Sequence, residues 1–131
     1  MILGIDVSTS KIGYCVIDDQ QNLKEVSFLK FKDGTLEERA MKFFNNELAR
    51  IKRTYIITHV RIEEPFTMFS GGKTTAGTMS KLQRFNGMIS VLSYVMFEIL
   101  PDLVSSRSAR SKSGIKIKRG ENTKKKIIEW V

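Results

Sequence analysis

Two acidic side chains stand out for where they fall. Asp6 lies inside the apolar run Ile2-Leu3-Gly4-Ile5-Asp6-Val7, and Glu63 closes a β-branched stretch that begins at Tyr55 and stops before Pro65. A carboxylate among aliphatic neighbours loses hydration, and a second one beside it adds repulsion. Such a pair calls for a proton, a cationic side chain or a divalent metal. A hard divalent ion is the economical answer, because magnesium takes oxygen ligands, keeps several waters and uses few protein carboxylates. Softer chemistry has little to work with. Cys15 is the single cysteine, too few for a disulfide within the chain or a cysteine-based zinc site, and His59 is the single histidine. Cys15 reads as a core residue and His59 as a structural or surface residue of a strand. Gly72-Lys73-Thr74 is not a phosphate loop, since Thr67 stands where that motif needs a glycine.

The elements that must position the two acids follow from the apolar pattern. Ile2–Val7 reads as a central strand buried on both faces, ended by the polar turn Ser8-Thr9-Ser10-Lys11. Residues 12–17 and 23–31 read as second and third strands of an antiparallel meander, parted by the turn-prone 18–22. Thr35 with Glu38 three residues on matches a capping box, and Leu36, Ala40, Phe43, Phe44, Leu48 and Ile51 repeat at helical spacing, which predicts a helix over 36–53. A fourth strand over 55–63 is then parallel to the first. Residues 66–75 read as a loop, and 76–100 as a long helix with Leu82, Phe85, Ile89, Leu92, Met96 and Ile99 on one face. Met88, Val91, Tyr94, Val95 and Phe97 extend its apolar surface around the circumference, which implies a second packing partner. Leu103-Val104-Ser105 reads as a short edge strand, 107–120 as a surface segment without an element, and Asn122-Thr123 as the cap of a last helix. The order βββ-α-β-α-β-α sets the first and fourth strands side by side, so Asp6 and Glu63 converge.

Charge points to the partner. The 131 residues carry 22 Lys and Arg against 14 Asp and Glu, a formal charge of +8. From Leu103 to Val131 there are nine basic and two acidic residues, a local charge of +7, while the preceding 102 residues total only +1. That tail is dense enough in cations to face a polyanion. The length suits one domain and leaves no room for the two domains and nucleotide cleft of an actin-like or sugar-kinase ATPase. The apolar region 88–100 is broken by Ser90, Ser93 and Glu98 and falls short of the roughly 20 residues that cross a bilayer. The start, Met-Ile-Leu-Gly-Ile-Asp, lacks the basic region of a signal peptide and reads as a native start. With one cysteine, the default address is the cytoplasm.

Leu3-Gly4-Ile5-Asp6 with Gly13-Tyr14, Arg61-Ile62-Glu63-Glu64-Pro65-Phe66, and Gly120-Glu121-Asn122-Thr123-Lys124-Lys125 together resemble the RuvC family of Holliday-junction resolvases, over essentially the whole chain. The compact form suggests a bacteriophage or low-GC Gram-positive variant, acting in the bacterial host cytoplasm if phage-encoded. The resemblance implies a single α/β domain over 1–131 of ribonuclease-H-like fold (the retroviral-integrase superfamily), a mixed five-stranded sheet flanked by helices. It also implies a homodimer, formed here through the second helix, and magnesium-dependent nicking of four-way DNA junctions and other branched DNA such as forks and flaps. Manganese would substitute. Asp6 matches the family's first-strand metal ligand and Glu63 its second, and two ions would activate water and stabilise the leaving oxygen. Lys112, Lys116, Lys118, Arg119, Lys124 and Lys125 would contact phosphates, with Lys124 matching the family's helix lysine. Phe66 would either close over the core or wedge into unstacked bases at the junction centre, and Lys73 would either be solvated or touch DNA. Asp6 by itself also suits a turn or cap before Ser8; the frame it shares with Glu63 favours the metal. Val7-Ser8 replaces the family's usual Pro-Gly, and its closing acidic pair has no match between Gly120 and Val131. The expectation is that this pair lies beyond Val131 and the domain lacks its C-terminal end. A branched-DNA-binding protein without cleavage activity is the alternative.

Overall fold

A computed structural model describes residues 1–65 and 76–113. It begins with three antiparallel strands, β1 (Ile2–Val7), β2 (Lys11–Ile17) and β3 (Leu23–Lys30). The β1–β2 turn is closed by Ser8, whose hydroxyl donates to the Lys11 carbonyl at 2.7 Å. The β2–β3 turn is organised by the Asp18 carboxylate, which accepts from the Gln20 and Asn22 amides at 3.0 and 2.9 Å and leaves Gln21 left-handed at φ 66°.

A continuous helical rod follows: α1 (Leu36–Lys42), a six-residue π segment (Phe43–Leu48) and α2 (Ala49–Thr54). The expected capping box is present, with Thr35 Oγ1 accepting from the Glu38 amide at 3.1 Å and the Glu38 carboxylate accepting from the Thr35 amide at 3.2 Å. The π segment differs from the regular helix that 3.6-residue periodicity predicts. Its wider turn lets Phe43 and Leu48, five residues apart, both reach full burial.

β4 (His59–Glu63) starts four residues later than the β-branched run suggests. Upstream of the Ile2–His59 pair only Met1 is left, its ammonium donating to the Ile56 carbonyl and its carbonyl accepting from the Thr58 amide, and Tyr55 instead closes α2 through its amide to the Ile51 carbonyl. α3 (Ala76–Phe97) stops short of Leu100 because Glu98 turns left-handed at φ 58°. β5 (Asp102–Val104) is the edge strand, parallel to β4. The segment read as lacking an element instead enters α4 (Ser106–Ser113), which starts where Ser105 Oγ accepts from the Ser108 amide at 3.0 Å.

The sheet order is β3-β2-β1-β4-β5, with β1, β4 and β5 mutually parallel. Leu3, Ile5 and Val7 of β1, Ile12, Tyr14 and Val16 of β2, and Val60 and Ile62 of β4 share one face. That face is buried against Phe43, Leu48 and Ile51 of the helical rod and Phe85 and Ile89 of α3. The opposite face carries Gly4, Asp6, Gly13, Arg61 and Glu63 and is not part of this core. A partly buried network beside the core joins sheet to rod. Tyr14 donates to Glu47, Arg50 donates to Glu25 and to the Tyr14 hydroxyl, and Tyr55 donates to Glu25. Burial and the Glu47 carboxylate push the Tyr14 hydroxyl's pKa up, while the Arg50 guanidinium holds the Glu25 carboxyl below its usual range.

Candidate metal and DNA site

The parallel register of β1 and β4 runs through Leu3↔Val60, Gly4↔Arg61 and Ile5↔Ile62. One step further along both strands sets Asp6 beside Glu63, at a strand spacing of about 4.8 Å. Ile5 and Ile62 point into the core, so strand alternation puts Asp6 and Glu63 on the other face together, where Asp6 is exposed and Glu63 half-buried. On its far side Asp6 pairs with Gly13, where an added Cβ would meet nothing within 4 Å. The Asp6 carboxylate therefore has open space on its β2 side.

Several contacts hold this end of the sheet. Asn86 of α3 is 4% exposed and donates its side-chain amide to the Glu63 carbonyl at 2.9 Å. The Glu64 amide donates to the Val104 carbonyl at 2.9 Å, so the chain leaving Glu63 is tied to β5 and Glu64 itself is exposed. At Gly4, a Cβ would stand 3.1 Å from Cys15 Sγ, so a side chain there would press on Cys15. Cys15 is half-buried on the face opposite the core and not in the core that its apolar surroundings suggest, and burial pushes its thiol's pKa up. His59 is exposed at the opposite end of β4, with Nδ1 3.0 Å from the Thr58 hydroxyl.

The register thus places Asp6 and Glu63 on neighbouring parallel strands, one step beyond the Ile5–Ile62 pair. Among the described residues no third His, Cys, Asp or Glu joins them in a metal-binding group. Lys112 lies in α4, which starts at the end of β5 next to Glu63 and also carries the exposed Arg107. Phe66, Lys73, Lys116, Lys118, Arg119, Lys124 and Lys125 lie outside the described residues, as does the helix expected after Asn122. Asn86 was not legible as a site residue; a lone Asn within an apolar helical pattern was its only signal.

No protein-family model matches the sequence, and no curated protein matches it. Solved structures do. Thermus thermophilus RuvC in complex with a Holliday-junction substrate superposes with a TM-score of 0.68 at 13% identity, over 84% of this chain and 67% of that one. The chain has the RuvC fold. A second T. thermophilus RuvC structure gives a TM-score of 0.59 at 16% identity, over 96% of this chain and 74% of that one. The ribonuclease-H-like architecture expected from the motifs is therefore present, with α1, α2 and α3 packed on one face of its sheet. In the RuvC fold of this chain, Asp6 and Glu63 occupy the C-terminal ends of two adjacent parallel strands, a position where α/β sheets gather ligands. No helix among the described residues is long and apolar enough to cross a membrane.

Proposed function

We propose that this chain is a metal-dependent endonuclease domain that nicks branched DNA, four-way junctions above all. The observation that carries the reading is the side-by-side placement of Asp6 and Glu63 on the open face of a RuvC-fold sheet. Their hard oxygens fit magnesium, with water filling the positions that two carboxylates leave. Asp6 and Glu63 would hold the ion, which when bound would acidify a water and offset phosphate charge. Asp6, on the central strand and exposed, is the ligand most open to substrate. Glu63, half-buried and with its backbone held by Asn86, is the more rigidly placed of the two. Arg107, exposed on α4, brings phosphate to the β4 side of the pair, and the other cations of the 103–131 sequence add electrostatic rather than sequence-reading contacts.

Resolution of a junction takes two matched nicks, hence two sites, and α3 supplies a surface for pairing. Val91, Tyr94 and Val95 are 62%, 48% and 58% exposed and fall at i, i+3 and i+4 on its outer side. We place the dimer contact there. The test is a labelled four-way junction incubated with the protein in magnesium. Nicking that Asp6→Asn and Glu63→Gln each abolish, with junction binding retained, supports the reading. Binding without nicking under any divalent metal supports the alternative, a branched-DNA clamp, which the presence of only two described acids favours.

A further inference from the structure

The end of β3 and the first turns of α1 border an open groove of about 410 Å³ whose charged lining is Lys30, Lys32, Asp33, Glu38, Arg39 and Lys42. Four of these are cations and two are acids, and the Glu38 carboxylate is already turned to the Thr35 amide. Lys30, Lys32 and Lys42 are exposed and belong to no ion pair among the described residues. Lys30 also stands directly opposite Lys11 in the β2–β3 ladder, a like-charge pairing that an external anion would relieve.

Arg39 is fixed without being neutralised. Its Nε donates to the Asp33 carbonyl at 3.1 Å and its Nη1 to the Thr9 carbonyl at 2.7 Å, while its guanidinium lies 6.0 Å from the centre of the Phe31 ring. Both acceptors are uncharged, so the positive charge stays available and held in place.

The groove and the acids share one end of the sheet. Thr9 is in the turn that leaves β1 three residues after Asp6, and the Phe31 amide donates to the Ser10 carbonyl of the same turn at 2.9 Å. β1 and β3 are two strand spacings apart, about 10 Å, and by strand alternation Lys30 projects on the same face as Asp6, while Arg39 and Lys42 belong to the rod on the other face. The exposed Arg107 of α4 stands on the β4 side of the acids; the groove supplies cations on the β3 side.

We propose that the Lys30–Lys32–Arg39–Lys42 groove binds the DNA phosphate backbone flanking the phosphate that Asp6 and Glu63 face. This rests on the nuclease reading above and extends it to a second anchoring point. The contacts are to phosphate, so they add affinity on junction and duplex alike and carry no base preference.

The test is fluorescence anisotropy of a labelled four-way junction and a labelled duplex, titrated with the full chain in EDTA at several salt concentrations. For Lys30→Ala/Lys32→Ala/Lys42→Ala, the slope of log affinity against log salt should shrink by about 2.7, or about 0.9 per lysine, equally on both DNAs. Lys24→Ala, at the far end of β3, should leave the slope unchanged. Wild-type binding with a slope that the triple variant retains overturns the groove and leaves the nuclease reading standing. A wild-type chain that binds neither DNA overturns both. Thermal melting checks the fold of the triple variant. Should it melt early, the single reversals Lys32→Glu and Lys42→Glu are read in the same way: weaker binding to both DNAs supports the groove and unchanged binding overturns it.

Discussion

Replacing Asn86 by alanine tests how the candidate site is held. The Asn86 amide is buried, and its single described bond, 2.9 Å to the Glu63 carbonyl, joins α3 to the last residue of β4. Removing the donor forfeits a bond with a net value of about 1 kcal/mol, and leaving the carbonyl short of a partner in a dry location costs about 1–3 kcal/mol more. A total near 2–4 kcal/mol in a chain of 131 residues corresponds to a fall in melting temperature of roughly 6–16 °C, at about 3–4 °C per kcal/mol. Asn86→Asp should be worse than Asn86→Ala at neutral pH, because a carboxylate would then face the carbonyl. Part of that loss should return below pH ~4, where the acid protonates and can donate. The assay is circular-dichroism melting with urea unfolding in parallel. Junction cleavage at a temperature where both variants remain folded reads out whether Glu63 has moved. Melting within 1–2 °C of wild type for both variants would refute the assignment of Asn86 as the anchor of β4.

Three further outcomes follow from other contacts. Gly4→Val should destabilise by about 1–3 kcal/mol through overpacking on Cys15 Sγ, and Cys15→Ala in the same chain should recover much of it; equal melting of single and double variants would contradict the close approach. The carboxyl pKa of Glu25 is depressed by Arg50, then by the Tyr55 hydroxyl, so its contribution to stability is complete above the ordinary Glu value of about 4.3 and lost as pH falls through the folded value. Glu25→Gln should therefore flatten the acid limb of a stability–pH profile below about pH 4.3. Asp18, whose pKa is also lowered by its turn amides, should keep a residual slope. Val91→Asp/Val95→Asp should sediment as the 15.0 kDa single chain where wild type sediments at twice that mass, and an unchanged profile would remove α3 from the dimer contact.

Much of this architecture could be read from local pattern. An aliphatic run with one acid marks β1, a Thr–Glu pair three apart marks the start of α1, and a helix between β3 and β4 makes β4 parallel to β1. Together these bring Asp6 to Glu63. The outward apolar residues of α3 were equally legible, because Val91 and Val95 exceed what one sheet face can cover. The remainder depends on tertiary contact. The π segment arises because Phe43 and Leu48 both need the core, which helical periodicity alone does not reveal. α4 has no apolar face, so its Ser-Arg-Ser-Ala-Arg sequence gave no amphipathic signal, and only the Ser105 cap announced it. The basic groove was hidden by averaging: the first 102 residues are nearly neutral in sum, and Lys30, Lys32, Arg39 and Lys42 become one surface only when β3 runs into α1.

Whether Asp6 and Glu63 jointly hold a divalent ion is decided most directly by anomalous diffraction from crystals of the protein soaked in manganese. The account predicts a peak within about 2–2.5 Å of carboxylate oxygens of both residues, lost in an Asp6→Asn crystal prepared in the same way. Occupied manganese sites elsewhere with none between these two side chains, or the same peak persisting in the Asp6→Asn crystal, would contradict it.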